Sequence, residues 1–203
     1  MTPLGYHISS RWNYNTIMLT SFLVVIVALL LLILVLLLLF YNRLIRLRNR
    51  AVSAWHGVET ELKRRYDLIP VLVSTVKGYA AHESNTFEEA ARARSRGIDA
   101  RTVGEHAGAT DSATVSFSTL FAVAEGYPDL KASVEFRDLQ HELSHTETII
   151  ANARKYYNAC VMHYDDARQS FPGNLVAGLF KRGFPDLEYL EFSGEIAAPP
   201  PAG

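Results

Sequence analysis

The chain has 203 residues, of which 49% are hydrophobic and 20% charged, and its formal net charge is −1. Five of the 20 basic residues precede Ala51, whereas all 21 acidic residues follow it, so residues 51–203 carry a net charge of −6. An acidic domain argues against nucleic-acid binding, which requires a basic face. The single cysteine excludes an internal disulfide and fits a reducing compartment.

A short amino-terminal segment, residues 1–16, precedes a run of 24 residues without a charged side chain, residues 17–40. As a helix this run is roughly 36 Å long, which suffices to cross a hydrocarbon core of about 30 Å. In lipid a helix satisfies its own backbone hydrogen bonds. A cleaved signal peptide has a shorter apolar stretch and a small-residue cleavage site, neither of which is present. The run therefore predicts an uncleaved transmembrane anchor.

Basic residues flank this span unequally. Arg11 alone precedes it, whereas four arginines follow it before the first acidic residue, Glu59. These four form a membrane-proximal basic collar: Arg43, Arg46, Arg48 and Arg50. Because the arginine-rich side of a span stays in the cytoplasm, the pattern predicts a single-pass protein with its amino terminus outside and its carboxy-terminal domain in the cytoplasm. The collar is also suited to contact the lipid bilayer at anionic head groups.

The segment after the span has helical spacing, with the narrow apolar stripe typical of bundles and coiled coils. Its stripe consists of Leu44, Leu47, Ala51, Ala54, Val58, Leu62, Tyr66, Ile69, Val73, Val76 and Ala80. Pro70 leaves two alternatives open, because proline lacks an amide hydrogen and clashes with the carbonyl four residues earlier. Either one helix kinks there, or Asp67 caps a new helix with Pro70 in its first turn.

Two further helices are predicted before residue 128. The first covers residues 85–98, where Asn85 and Glu88 have the spacing of a capping box. Residues 97–112 are rich in Gly, Ala and Thr and lack a period, which predicts a loop. Helical spacing resumes over residues 113–125 and stops at Gly126-Tyr127-Pro128.

The longest predicted helix opens at Asp129 and ends at Phe171-Pro172-Gly173. Ten stripe positions in strict alternation of three and four support it: Phe136, Leu139, Leu143, Thr146, Ile150, Ala153, Tyr157, Cys160, Tyr164 and Ala167. At close to 60 Å this helix predicts an elongated domain. A short amphipathic piece (residues 174–180) follows, and the Pro-rich tail, residues 193–203, is expected to be disordered or extended. No segment predicts a strand, so the fold class is all-α.

Two blocks closely resemble the LemA family of bacterial membrane-anchored proteins. They are residues 41–83, with the motif LKRRYDLIP, and residues 124–177, with the motif YPDLKA. The resemblance implies a transmembrane helix in the bacterial inner membrane, followed over residues 41–192 by an antiparallel bundle of long helices. It implies no enzymatic activity and no agreed biochemical function. One departure is Val71, where the family usually has Asn. The family-motif residues here are Lys63, Arg64, Arg65, Asp67, Pro70, Tyr127, Pro128, Lys131, Tyr157, Asn158 and Pro172.

The segment His141-Glu142-Leu143-Ser144-His145 matches H-E-x-x-H, the helical zinc-binding pattern of metallopeptidases. Leu143 belongs to the apolar stripe, which places both histidines on the outward side. No third ligand follows at the spacing that a metzincin uses, and a catalytic zinc needs three protein ligands. We therefore expect solvated surface histidines, and we predict no metal, no cofactor and no catalytic residue.

Other polar and aromatic clusters have a chemical and a structural interpretation. The run Lys63-Arg64-Arg65 is suited to phosphate or lipid head groups, but a helix surface paired with nearby acids, Glu59, Glu61 and Asp67, is the favoured interpretation. Trp55 and the tyrosines at 127, 156, 157 and 164 are expected to pack between helices rather than form a stacking platform. Asn158 and Asn42 are expected to hydrogen-bond across helices, and Cys160 to be a buried thiol.

The sequence favours a non-enzymatic, membrane-anchored scaffold or interaction protein that forms homo-oligomers. Long helices leave flanks for a second chain, the anchor raises the local concentration, and small residues at Ala90, Ala91 and Ala93 allow a close approach. A membrane-linked signalling or regulatory adaptor with an unidentified protein partner is the alternative. A zinc hydrolase built on residues 141–145 is a remote third.

Overall fold

The computed structural model describes residues 6–192 of the chain and their side chains from Ile17 onward. The predicted tail, residues 193–203, lies outside the described residues. Residues 6–192 contain helices and no strand, which confirms the all-α class. The helices are α1 (Tyr6–Lys77), α2 (Ser84–Asp99), α3 (Val103–Glu125), α4 (Pro128–Ala132), α5 (Val134–Gln169) and α6 (Gly173–Leu179), followed by a 3-10 turn at Lys181–Gly183.

One compact unit comprises the described part of residues 1–46 together with Ala167–Phe184. Within it, most of the large apolar side chains of the uncharged run are exposed, from 38% at Ile26 to 72% at Met18, and Leu37 and Phe40 are half-buried. Of the helices that the structure describes, α1 is the one that is long and apolar enough to cross a membrane. A contiguous exposed apolar surface of this kind is typical of a segment that contacts a membrane or another protein.

The second unit is a helical bundle formed by residues 47–166 and the segment that begins at Pro185. In it, Trp55 packs against Tyr157 and Arg64 contacts Glu142, so α1 and α5 run antiparallel. The predicted stripes supply the core, with Val58, Leu62 and Tyr66 from α1 and Leu143, Ile150 and Tyr164 from α5 all buried. Apolar periodicity thus fixes which face of each helix meets its neighbours.

Pro70 lies inside α1, so the alternative in which Asp67 caps a new helix is wrong. The proline is exposed, whereas Ile69 and Leu72 beside it are buried in the core. Proline removes one backbone hydrogen bond of the helix, and the packing of these two neighbours stabilises the helix despite that loss.

The segment predicted as a loop, residues 97–112, is mostly helical. The helix α2 continues to Asp99, and α3 begins at Val103. At the start of α3, Thr102 and Glu105 form a capping box. No side chain caps the start of α2, so the capping box predicted at Asn85 is wrong. The buried face of α3 is formed here by small residues such as Ala109 and Ala113. Because these residues are not strongly hydrophobic, the helical spacing of the buried positions is not visible in the sequence.

The long helix predicted from Asp129 is divided. The five-residue α4 starts at Pro128, and Ser133 separates it from α5, whose residue Phe136 donates its amide to the Ser133 hydroxyl. The stop at Gly126 to Pro128 is confirmed. A serine at a helix start satisfies amides that have no partner within the helix, which explains the new beginning.

Small residues of α2 bring it close to α1. Ala90, Ala93 and Gly97 are buried, and a β-carbon added at Gly97 would lie 2.5 Å from the ring of Tyr66. The small residues predicted as a contact between chains therefore serve, at Ala90 and Ala93, the core of the same chain. Of the three predicted residues, Ala91 remains exposed.

Candidate functional site

The H-E-x-x-H segment lies on the surface of α5. His141 and His145 are exposed, and the Glu142 carboxylate accepts a hydrogen bond from Arg64 Nε at 3.1 Å. Within the described residues no three or more His, Cys, Asp or Glu side chains form a group able to hold a metal. The glutamate that would activate water in a zinc enzyme is engaged in an ion pair with Arg64.

A buried polar cluster, here called the Arg65 cluster, joins α1, α3 and α5. The Arg65 side chain is 1% exposed, and its Nε donates to Glu147 Oε1 at 2.6 Å. Its Nη1 donates to the Thr110 carbonyl at 3.1 Å, and its Nη2 donates to the Thr114 hydroxyl at 2.9 Å. The guanidinium also lies 5.4 Å from the centre of the Phe117 ring. The prediction of a surface arginine paired with its sequence neighbours is therefore wrong for Arg65.

Burial controls the electrostatics of this cluster. It raises the pKa of Glu147, because a buried carboxylate loses its hydration, while the charge and hydrogen bond of Arg65 act in the opposite direction. Burial also raises the pKa of Tyr66, whose hydroxyl lies 3.2 Å from Thr110 Oγ1. The second carboxylate oxygen of Glu147 has no hydrogen-bond partner among the described residues. The cluster is a structural connection whose ionised form depends on both partners being present.

The carboxy-terminal segment of residues 185–192, here called the strap, is held along α5 by side chains of the Tyr-Asn motif. Tyr157 donates its hydroxyl to the Glu188 carbonyl at 2.6 Å. Asn158 forms two bonds with Leu190, donating to its carbonyl at 3.1 Å and accepting from its amide at 2.9 Å. Burial, assisted by the Glu188 carboxylate, raises the pKa of Tyr157 to about 12, so the hydroxyl stays a donor at neutral pH. Asn158 thus bonds to the backbone of the strap rather than to another helix.

A cleft of about 300 Å³ lies between α1, the start of α3, α5 and the strap. Its aromatic wall is Trp55, whose ring centre is 5.2 Å from that of Tyr157 and 5.4 Å from that of His106. Polar residues at its rim are Arg101, Asp186 and Glu188. An aromatic cleft with few polar groups is suited to binding an apolar or aromatic side chain.

His106 is a buried titratable side chain that packs against the cleft residue Trp55. Burial lowers the pKa of His106, whereas the negative charges of Glu59 and Glu105 act to raise it. Its Nε2 lies 3.8 Å from Glu59 Oε1, and its Nδ1 has no hydrogen-bond partner among the described residues. Trp55 packs edge-on against the imidazole ring.

The remaining predicted site residues are distributed over the surface. Lys63 and Pro70 are exposed, Asp67 accepts a hydrogen bond from Arg94 at 3.1 Å, and Lys131 pairs with Glu125 at 2.7 Å. Tyr127 precedes α4, Pro128 is its first residue, and Pro172 precedes α6. In the collar, Arg43, Arg46 and Arg50 are exposed and Arg48 is half-buried. Of the family-motif residues, the structure brings Tyr157 and Asn158 together at the strap.

The sequence profile of the LemA family matches residues 54–201, more than half of the chain. The matched range contains the Arg65 cluster, the strap and most of the residues that line the cleft. No curated protein matches the chain.

Proposed function

The chain belongs to the LemA family, and we propose that it is a non-enzymatic, membrane-anchored helical scaffold that associates with copies of itself. The observation that carries the proposal is the exposed, uncharged surface of α1 over residues 17–40, in a chain that also has a helical bundle with a core of its own, formed by residues 47–166 and the segment that begins at Pro185. Such a surface requires lipid, and it leaves the bundle free to present its faces to other proteins.

The proposed orientation places the amino terminus outside and the bundle in the cytoplasm of a bacterium. Four arginines follow the span in the collar, whereas Arg11 alone precedes it. This difference supports the orientation, since basic flanks resist translocation across the membrane. The exposed side chains of Arg43, Arg46 and Arg50 are available to lipid head groups.

A structural role is supported by where the polar side chains are used. Arg65 and Glu147 form a buried ion pair, and Arg64 and Glu142 form an ion pair at the surface. Tyr157 and Asn158 donate hydrogen bonds to the backbone of the strap. Each of these residues contributes to the packing of one element on another.

Self-association is supported by anchoring, because chains held in one membrane share an orientation and a high local concentration. The acidic bundle opposes it, since like charges repel across a shared plane within about 8–10 Å in physiological salt. We therefore expect association to strengthen as salt is raised.

The anchor is tested by charge placed in the span. Leu30→Arg with Leu34→Arg puts two cations where each costs about 2.5–3.5 kcal/mol in a bilayer, and should move the chain from the membrane to the soluble fraction. Val52→Arg, at an exposed site of α1 in the bundle, is the matched control and should stay in the membrane. Retention of the doubly charged variant would contradict the anchor.

Orientation and association are tested separately. With Cys160 replaced by Ala, a cysteine at the exposed Val115 should resist an impermeant thiol reagent in intact cells. In mild detergent, the measured protein mass should correspond to two or more chains of 22.7 kDa each. A mass of one chain at all protein and salt concentrations would refute self-association, and a co-purifying partner would then favour the adaptor function.

A further inference from the structure

The helix α6 carries apolar side chains on its exposed face as well as on its buried face. Val176 and Ala177 are buried in its own unit, together with the following Phe184. The opposite face is apolar and exposed, with Leu175 59% and Leu179 71% exposed. Phe171, which precedes the helix, is 79% exposed. Three large apolar side chains on a single short segment require a cover other than water.

Aromatic contacts place α6 at the end of the apolar run. Tyr41 follows directly on the last residue of that run, and its ring centre lies 5.1 Å from that of Phe180 and 5.4 Å from that of Phe184. Tyrosine is a residue enriched where a span meets the head groups. The carboxy-terminal end of α6 therefore lies beside the end of the apolar run.

Charge on this unit matches an anionic surface. Residues 1–46 and 167–184 contain no Asp or Glu, so all 21 acidic residues of the chain lie in the other unit. Lys181 and Arg182 follow α6 and are exposed, as are Arg43 and Arg46 of α1. Basic residues beside an apolar helical face are the pattern of a helix that lies in the head-group region of a membrane.

We propose that α6 is a second membrane contact, an interfacial helix that inserts Phe171, Leu175 and Leu179 into the boundary between head groups and acyl chains beside the span. This inference rests on the proposed anchor. The occupant of the exposed face is the lipid of the same leaflet, and Lys181 and Arg182 contact its anionic head groups.

The test is depth-dependent fluorescence quenching of the full-length protein in phosphatidylcholine–phosphatidylglycerol vesicles at a high lipid-to-protein ratio. An environment-sensitive probe is attached to one cysteine at a time, with Cys160 replaced by Ala, and the lipids carry a nitroxide near the head group or near the bilayer centre. The sites are Leu179 on α6, Leu31 in the span and the exposed Val115 on α3. Circular dichroism checks that each labelled chain keeps its helix content.

The Leu179 probe should be quenched most by the head-group nitroxide, at a depth of about 5–10 Å, and the Leu31 probe by the central nitroxide. The Val115 probe should be quenched by neither. A Leu179 probe that behaves like the Val115 probe, while Leu31 is quenched, overturns the interfacial helix and leaves the anchor intact. A blue-shifted Leu179 probe that no lipid quenches is covered by protein, which also overturns it. Absence of quenching at Leu31 refutes the anchor itself.

Discussion

Removing the cation of the Arg65 cluster gives the sharpest test of the bundle. Arg65→Met keeps most of the side-chain volume but leaves the buried Glu147 carboxylate without its partner. Loss of one member of a buried pair costs about 3–5 kcal/mol, because the other charge stays out of water. Glu147→Leu should cost a similar amount, since it leaves a buried guanidinium unpaired.

The double variant Arg65→Met with Glu147→Leu removes both charges together. Relative to the wild-type protein, the double variant still lacks the two hydrogen bonds that Arg65 donates to Thr110 and Thr114. At about 0.5–1.5 kcal/mol each, these give a cost of about 1–3 kcal/mol, less than either single variant. Urea unfolding of the four proteins in mild detergent, followed by circular dichroism, measures the cycle. A double variant destabilised by the sum of the two single effects would refute the coupling.

The pH dependence supplies an independent check. Burial already raises the pKa of Glu147, and without Arg65 it rises further above its unfolded value of about 4.3. A carboxyl group with a raised folded pKa contributes stability that is present below the unfolded pKa and is lost as pH rises through the folded pKa. The deficit of Arg65→Met should therefore shrink as pH falls from neutral towards about 4. The double variant has no such carboxyl group and should show no such recovery.

Three further substitutions follow from individual contacts. Gly97→Ala should destabilise the protein by about 1–3 kcal/mol, because the new β-carbon meets the Tyr66 ring and the helices must move apart. Asn158→Ala should accelerate hydrogen exchange of the Leu190 amide, which loses its acceptor, with little change elsewhere in the bundle. Leu143→Ala should lower the free energy of unfolding by about 2–5 kcal/mol, as expected for a buried leucine.

Matched controls separate these effects from general helix loss. Gly108→Ala, inside α3 and facing open space, should stabilise the protein by about 0.5–1 kcal/mol, the opposite sign to Gly97→Ala. His145→Ala, two residues from Leu143 and exposed, should leave the urea midpoint nearly unchanged. Equal effects at Gly97 and Gly108, or at Leu143 and His145, would contradict the assigned packing. Unchanged exchange at Leu190 would contradict the bond from Asn158.

Much of the fold was predictable because helical period reports burial. Residues 85–98 were predicted as a helix that the structure gives as Ser84–Asp99, and the stripe of α5 falls on buried positions such as Leu143 and Ile150. The first ten residues of α3 were missed because Gly, Ala and Thr signal a loop when read locally. The Thr-x-x-Glu signature at Thr102 was the available sign of its start.

The candidate site was less predictable because its partners are distant in the sequence. Arg65 was assigned to the surface as part of a basic run, although it lies three residues after the stripe position Leu62, on the inner side of α1. Glu147 likewise lies four residues after Leu143. Each of these two charged residues directly follows or precedes a stripe residue, Thr146 or Tyr66, and a charge beside the stripe was the missed signal. The partners of Arg65 on α3 and α5 are 45–82 residues away. The strap has no period at all, so only the structure places it.

The Arg65 cluster also bears on the register in which the helices of the bundle pack. Ala109 and Ala113 are small, but a shift of α3 by one helical turn would also displace Phe117, Leu120 and Phe121 on its buried face. Such a shift would separate Arg65 from Thr110 and Thr114, leaving a buried cation without its acceptors. We infer that the apolar stripes make the helices associate and that the contacts of Arg65 with Thr110, Thr114 and Glu147 favour one register among α1, α3 and α5.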